Sequence, residues 1–305
     1  MISHVHPTDL SGGCVLTLGS FDGLHLGHNE LLVRTRWAAN AKGLPAVMVT
    51  FDPHPREVLS DAHASLLTTV PERVARAVVA EMDGVSVVAF TKELAALSAA
   101  EFLHNVLLDG MNMRGMILGH DHRFGKGRTG DEAFLLDKSK DHGFDVSSVE
   151  AVRDAHGVIS SSRVRVSLSL GRVEEAARLL GHRYAQVGTV VHGEQRGRLL
   201  GYPTANLAPD DHRKVIPGRG VYAVWVHLDD GSVHRGMMNI GVRPTFDTEG
   251  LHLEVHLIDF NGDLYGREVR VEYVARIRDE QKFDGVDALV RQLNRDRVRC
   301  RAALR

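Results

Sequence analysis

Residues 19–28, Gly-Ser-Phe-Asp-Gly-Leu-His-Leu-Gly-His, lie between the apolar run Val15 to Leu18 and a segment from Asn29 to Arg34 that reads as a helix. A strand that enters a glycine-punctuated turn and leaves it as a helix points unpaired backbone N–H groups, with the positive end of the helix dipole, into that turn. An anion is the expected occupant. His25 and His28 are three residues apart at the mouth of the helix, so both rings can face one ligand. Gly27 between them has no side chain to hold a phosphate away. The chain has no GxxxxGK[ST] pattern and the turn is not GxGxxG, so this cradle is neither a P-loop nor a dinucleotide turn. Two histidines suit attack on the α-phosphorus of a nucleotide. Charge grows there on the bridging oxygen and the departing pyrophosphate, and placed donors stabilise it without a covalent nucleophile.

The residues beyond Arg34 extend the pattern. Gly43 and Pro45 stop the helix, and Ala46 to Phe51 forms a second, nearly continuous apolar strand. Strand, helix and strand in succession predict a parallel sheet. Asp52-Pro53-His54-Pro55-Arg56 then falls at the C-terminal edge, where open α/β sheets bind ligands. There His54 and Arg56 suit a phosphate, and suit equally a rigid proline loop with solvated charge. Val85 to Phe90 reads as another strand, and Ser98-Ala99-Ala100-Glu101 as a capping box that opens a helix through Leu108. Met116 to Leu118 leads into residues 119–130, Gly-His-Asp-His-Arg-Phe-Gly-Lys-Gly-Arg-Thr-Gly, a loop whose side chains place a ligand there.

Of the 305 residues 43% are hydrophobic and 25% charged, with a formal net charge of -2. That length suffices for two cores. Without a basic surplus, nucleic acid and anionic lipid are not the expected partners, and small-molecule chemistry is. Cys14 and Cys300, at opposite ends, offer neither a disulfide framework nor metal-ligand spacing, and fit a reducing cytoplasm. The opening residues lack the basic flank and apolar core of a signal peptide, and no apolar run approaches the length of a membrane span. A soluble cytoplasmic protein is expected.

Leu168 to Leu180 reads as helical with a break near Gly171, and beyond Tyr184 the pattern changes to short alternating runs separated by turns. Strands are expected at 184–191, 221–227, 233–240, 251–258 and 268–277, as in an antiparallel barrel. Val286, Leu289, Val290, Leu293 and Val298, at helical spacing, predict a terminal helix packed on it. Gly193, Gly197 and Gly201 allow a loop to wrap phosphates with backbone N–H groups. Thr204 and Asn206 offer hard oxygen ligands for a Mg²⁺ that bridges ATP phosphates. Leu251, Leu253, Val255 and Leu257 share one face of their strand, so Glu254 points to the other. By spacing alone this is an exposed strand glutamate paired with a neighbour; a carboxylate opposite a phosphate loop is also what a kinase needs to accept the proton of an attacking hydroxyl.

His25-Leu26-Gly27-His28 resembles the HxGH signature of the nucleotidyltransferase superfamily, and residues 19–28 its FAD-synthetase branch. Ile159 to Arg165 is similar to the ISSTxIR motif of those enzymes, matched at Ser161, Ser162 and Arg165. The loop 119–130 resembles G-x-[DN]-F-x-F-G, matched at Asp121 and Phe124. His122 stands where Phe is commoner, and its titration is expected to give FAD synthesis a pH dependence near neutrality. Residues 188–207 look like the riboflavin kinase pattern ending in PTAN, with Tyr202 for a commoner Phe. The strings 239–246, 254–260, 263–266 and 277–283 extend that likeness.

The resemblance is to the prokaryotic bifunctional riboflavin kinase/FMN adenylyltransferase family, and it carries several expectations. A Rossmann-like parallel-sheet nucleotidyltransferase domain at 1–184 precedes an antiparallel β-barrel kinase domain with a C-terminal helix at 185–305. Riboflavin and ATP give FMN in the second, FMN and ATP give FAD and pyrophosphate in the first, and both steps need Mg²⁺. In the first domain His25 and His28 are catalytic. Gly19, Phe21, Asp22, Gly27, Ser161, Ser162 and Arg165 bind nucleotide, and His54, Arg56, Asp121, His122 and Phe124 bind flavin. In the second, Glu254 is catalytic, Gly193, Gly197, Arg198, Gly201 and Asn239 bind nucleotide, Thr204 and Asn206 hold the metal, and Arg278 and Phe283 bind flavin. Self-association is expected to be weak at most. A nucleotidyltransferase for another acceptor with a degenerate second domain, and a flavin storage module without turnover, are the competing readings.

Overall fold

The computed structural model describes residues 2–6, 9–60, 65–193, 197, 200–242 and 251–305. The chain divides into two compact units, Met1–Ser161 and Ser162–Arg305.

The first unit is built on a six-stranded sheet. Its strands are β1 (Ile2–His6), β2 (Cys14–Leu18), β3 (Ala46–Asp52), β4 (Gly84–Ala89), β5 (Met113–Gly119) and β6 (Asp145–Val149), in the order β1-β4-β3-β2-β5-β6. All neighbours are parallel except β1, which runs antiparallel to β4 at the edge. Every residue of β2 is buried, as a strand covered on both faces requires. Cys14, Leu16 and Leu18 pack on one side with Val47, Val49 and Phe102, and Val15 on the other with Leu32, Met48 and Ile117. The chain passes from β2 to β3 on one side and later returns to β5 on the other, so the strand order reverses at β2. A crevice for a ligand opens at the C-terminal ends of strands at such a point.

Helix α1 (Leu26–Lys42) follows β2 and ends on Gly43 in the left-handed conformation, φ 64°. After β3 come α2 (Pro55–Leu59) and α3 (Val70–Val79). After β4 come α4 (Lys92–Ala96) and α5 (Ala99–Phe102), the latter opened by the expected capping box between Ser98 and Glu101. The helix does run to Leu108, but Leu103–Leu108 is π-helical. Helix α6 (Glu132–His142) precedes β6, and a short hairpin, β7 (Arg153–Asp154) and β8 (Gly157–Val158), precedes α7 (Ser161–Ser169).

In the second unit α7 breaks at Gly171, φ 71°, before α8 (Val173–Leu180). The strands β9 (Ala185–Val191), β10 (Ala205–Pro209), β11 (Gly220–Leu228), β12 (Val233–Val242), β13 (Leu251–Leu257) and β14 (Glu268–Arg278) close into an antiparallel barrel in the order β10-β13-β12-β11-β14-β9. Helix α9 (Val286–Ala303) lies against its outside, where Val221, Ala223 and Met237 pack with Leu293 and Cys300.

The terminal helix is present, but its buried face differs from the expected one. Val286 and Val298 are 59% and 67% exposed, whereas Asp296 and Cys300 are fully buried. The helix presents a carboxylate to the barrel because Arg278 Nε donates to Asp296 Oδ2 at 2.8 Å, and Gln292 Nε2 donates to Asp296 Oδ1 at 2.8 Å. Leu251, expected on the inner face of β13 with Leu253, Val255 and Leu257, is 40% exposed where the strand begins, while those three are buried.

Candidate active sites

In the first unit the loops after β2 and β5 face each other, as the sheet topology requires. Between them lies a cavity of about 540 Å³ lined by Gly19, Phe21, His25, Gly27 and His28 from one side and by Asp121, His122, Arg123 and Arg128 from the other. Ser160 and Ser161 close its end.

His25 is the N-cap of α1, and its Nδ1 accepts from the His28 backbone N–H at 3.4 Å. Accepting there leaves the ring proton on Nε2. The His25 and His28 rings stack, centroids 3.8 Å apart with planes inclined by 16°, and Phe21 meets His28 edge-on at 5.2 Å. A Cβ on Gly27 would approach the His25 ring to 3.2 Å, so glycine is what lets that ring lie over the start of the helix. Burial, then the neighbouring His25, holds His28 well below the usual histidine range, and its Nδ1 is shielded from solvent without a hydrogen-bond partner. His28 is thus neutral at physiological pH.

Asp22 is spent on architecture. Its Oδ1 accepts from the backbone N–H of Leu67 at 2.8 Å and of Thr68 at 2.9 Å, and its carbonyl oxygen accepts from Ser161 Oγ at 2.7 Å. The turn is therefore tied both to residues 67–68 and to the first residue of α7. Ser162 is exposed and Arg165 half-buried, further along α7 in the second unit.

Of the expected flavin residues, Asp121 and His122 line the cavity, while His54 and Arg56 do not. His54 caps α2, its Nδ1 accepting from the Arg56 backbone N–H at 3.2 Å. Phe124 is 7% exposed and packs against Phe102 and Phe134 at 5.3 and 6.1 Å, so its ring belongs to the core under the loop. The expectation for His122 is corrected. Burial, opposed by Asp121 and reinforced by Arg128, lowers it to about 4, so it does not titrate near neutrality. In the neutral range it is an uncharged flat ring, close in character to the phenylalanine it replaces. Arg123 and Arg128, which no motif singles out, bring positive charge to the cavity wall facing His28.

In the second unit Glu254 stands directly across from Asn206 on β10 and from Asn239 on β12. Cross-strand partners share a face, and Met237 two residues from Asn239 packs under α9, so all three are on the outside of the barrel. Thr204 Oγ1 donates to Glu254 Oε2 at 3.4 Å. A Cβ on Gly193 would collide with the Asn206 side chain, and one on Gly197 would collide with the Tyr202 carbonyl and come within 3.3 Å of Thr204 Oγ1. Gly193 and Gly197 thus lie close against Asn206 and Thr204, whereas Gly201, φ 76°, has open space around it. Arg198 lies outside the described residues, as do residues 243–246 of the motif beginning at Asn239.

Tyr202 Oη bonds Asn294 Oδ1 at 2.9 Å and His256 Nδ1 donates to the Pro203 carbonyl at 2.9 Å, so α9 and β13 both hold the approach to Thr204. Arg278 stacks over Phe283, its guanidinium 5.6 Å from the ring centroid, while its Nε is committed to Asp296. Beside Thr204 is a cavity of about 550 Å³ lined by Val190, Leu257, Phe260, Leu264 and Tyr265. The His192 ring stacks on Tyr265 at 3.9 Å.

The fold is that of a nucleotidyltransferase-type parallel-sheet unit followed by a barrel of the riboflavin kinase type. A family model for FAD synthetase matches residues 8–163 and one for riboflavin kinase residues 180–304. The bifunctional riboflavin kinase/FMN adenylyltransferase of Pseudomonas fluorescens is 40% identical over 291 residues, 95% of this chain and 93% of that protein. Those of Escherichia coli K12 and Bacillus subtilis are 38% and 35% identical, over 95% and 93% of this chain and 92% and 90% of theirs. The chain belongs to the bifunctional riboflavin kinase/FMN adenylyltransferase family. A crystal structure from Streptococcus pneumoniae described as a macrolide-efflux protein superimposes with a TM-score of 0.88 at 37% identity, over 94% of this chain and 93% of that one. Among the described residues no helix here is long and apolar enough to cross a membrane.

Proposed function

We propose that this chain converts riboflavin to FAD in two ATP-dependent steps, one on each unit. The reading is carried by two separate cradles, each holding the groups its own step needs: stacked histidines at a helix mouth in one, a carboxylate beside Thr204 and Asn206 in the other.

In the barrel, a ribityl hydroxyl of riboflavin attacks the γ-phosphorus of ATP and ADP leaves. The hydroxyl must shed its proton as it attacks, and Glu254 takes it. Thr204 and Asn206 supply the hard oxygens that suit Mg²⁺, and Gly193 and Gly197, lying against them without side chains, leave backbone N–H groups free to meet the phosphates. Magnesium, when bound, offsets charge on the transferring phosphate. Asn239 flanks Glu254 on the side away from Asn206. The cavity beside Thr204, where Phe260 and Tyr265 stand with Asn261 and Asp263, offers a flat base stacking and burial. The kinase domain proper is assigned to residues 185–305.

In the first unit an oxygen of the FMN phosphate attacks the α-phosphorus of a second ATP and pyrophosphate leaves. No proton need be removed, so the task is to hold two anions together and stabilise charge on the oxygens. The N-terminus of α1, His25 and His28 face the triphosphate. An anion there favours protonation of His28 and so works against the effect of burial. Arg123, Arg128 and Asp121 border the flavin side, with His122 as an uncharged ring. Cys14 and Cys300 take no part: both are buried free thiols pushed up to about 12 by burial, as suits a protein of the reducing cytoplasm.

The test is to incubate the full chain with riboflavin and Mg·ATP and separate the flavins over time. FMN is expected first and FAD after it, with ADP and pyrophosphate as co-products. FMN alone overturns the first-unit assignment, and no new flavin overturns both.

A further inference from the structure

Arg73 is a charged side chain only 2% exposed, on α3. A guanidinium is costly to bury, so the oxygens that hold it mark what it is there to organise. Its Nη1 lies 3.1 Å from the Ser20 carbonyl oxygen, 2.6 Å from Thr50 Oγ1 and 2.9 Å from the Phe51 carbonyl oxygen. Two hydrogens are shared among three oxygens, which seats the atom where the turn after β2 meets the end of β3. Thr50 Oγ1 itself donates to the Ser20 carbonyl at 3.0 Å. That carbonyl is therefore held by two donors that are also bonded to each other.

The residue after Ser20 shows what this fixes. Phe21 has φ 47° and Leu24 φ 39°, left-handed values that a bulky side chain adopts only under strain. A turn of that kind persists only where its surroundings over-determine it. The Phe21 ring is the one that meets His28 edge-on. The turn that carries Ser20 thus also carries the ring that borders the histidine at the helix mouth.

We infer that Arg73 is a positioning residue for adenylyl transfer, fastening the Ser20–Phe21 turn to the end of β3 and thereby holding His28 over the triphosphate. The inference rests on the adenylyltransferase reading of the first unit. Arg73 is buried and does not line the cavity, so its removal should lower kcat with little change in KM, since a small misplacement of a donor alone costs about 10²-fold.

The experiment compares full-length wild type, Arg73→Met and Arg73→Lys in FMN and FAD formation, with rates expressed per folded site from flavin-binding stoichiometry and melting curves. Arg73→Met should lose about 10²-fold in kcat for FAD formation, with KM for FMN and ATP within about threefold. Arg73→Lys, which keeps a charged donor, should recover at least about tenfold of that loss, and FMN formation should match wild type in both. A wild-type kcat per folded site in Arg73→Met, or failure of Arg73→Lys to recover activity, overturns the inference. Where Arg73→Met does not fold, Thr50→Val decides: it removes one donor to Ser20 at unchanged shape and should cost about tenfold in kcat alone, and no loss overturns the inference. A wild type that makes FMN but no FAD refutes the adenylyltransferase reading itself. A wild type that makes FAD beside equally active variants refutes only the role of Arg73.

Discussion

Thr204 Oγ1 donates to Glu254 Oε2 at 3.4 Å, and the residue two beyond Thr204, Asn206, faces Glu254 across the ladder between β10 and β13. The proposed metal ligands and the proposed base thus lie on one patch of the barrel's outer surface, beside Gly193 and Gly197. Glu254→Gln keeps size and one acceptor but removes the basic carboxylate, so kcat for FMN formation should fall roughly 10²–10⁴-fold with ATP affinity nearly unchanged. Steady-state kinetics and nucleotide titration of the variant check both halves, and full activity removes Glu254 from the mechanism.

His28→Ala deletes a donor at the mouth of α1 and unstacks His25. FAD formation should fall about 10²-fold or more while FMN formation stays at the wild-type rate. A parallel fall in both, in a variant that melts like wild type, refutes the division of the two reactions between the units.

How much of this the sequence discloses depends on whether a residue's task is local. The cradle at residues 19–28, the capping box at Ser98 and the break at Gly171 are written in neighbouring residues and stand where expected. Five of the six barrel strands are legible to within two residues at their ends for the same reason, whereas β10, inside the glycine-rich motif that ends at Asn206, is not. What is not legible depends on distant partners. Asp296 reads as a solvated helical aspartate until Arg278 is seen beside it, and that pairing turns the buried face of α9. Asp22 looks like a ligand from its motif, yet it answers the backbone of residues 45 and 46 positions away. Arg73 has nothing around it in sequence to mark it as buried. β6, polar and at the sheet edge, lacks the apolar run by which β2 and β3 are recognised.

His122 gives a prediction in the opposite sense to its sequence expectation. Its folded-state value is about 4, below the ordinary 6.5, so the folded chain binds this proton more weakly than the unfolded chain does. Its contribution to stability is complete above about pH 6.5 and is lost as pH falls to about 4. His122→Phe should therefore flatten the acid-side decline in the melting temperature of the first unit between those limits. The pH profile of FAD synthesis near neutrality should be unchanged. A shifted neutral profile shows instead that the ring titrates there in the working site.

Gly218 N–H donates to the Leu168 carbonyl at 2.8 Å and Arg276 N–H to Glu174 Oε1 at 3.0 Å, so α7 and α8 are bonded to the barrel unit. A fragment of residues 162–305 should fold and make FMN. The shorter 185–305 should retain the activity but melt at least about 5 °C lower, since those bonds and the α8 packing on β14 are lost. Expression of both with an FMN assay checks this, and a folded but inactive pair refutes the assignment of the kinase to the barrel.

Tracing label shows whether one chain transfers the γ-phosphate of one ATP and the adenylyl group of another to the same flavin. The full chain is given riboflavin with Mg·ATP labelled at either the α- or the γ-phosphorus, and the flavins are separated and counted. Label from the γ-position should enter both FMN and FAD, and label from the α-position should enter FAD alone. Label from the α-position in FMN, or FAD formed without label from the γ-position, contradicts the account.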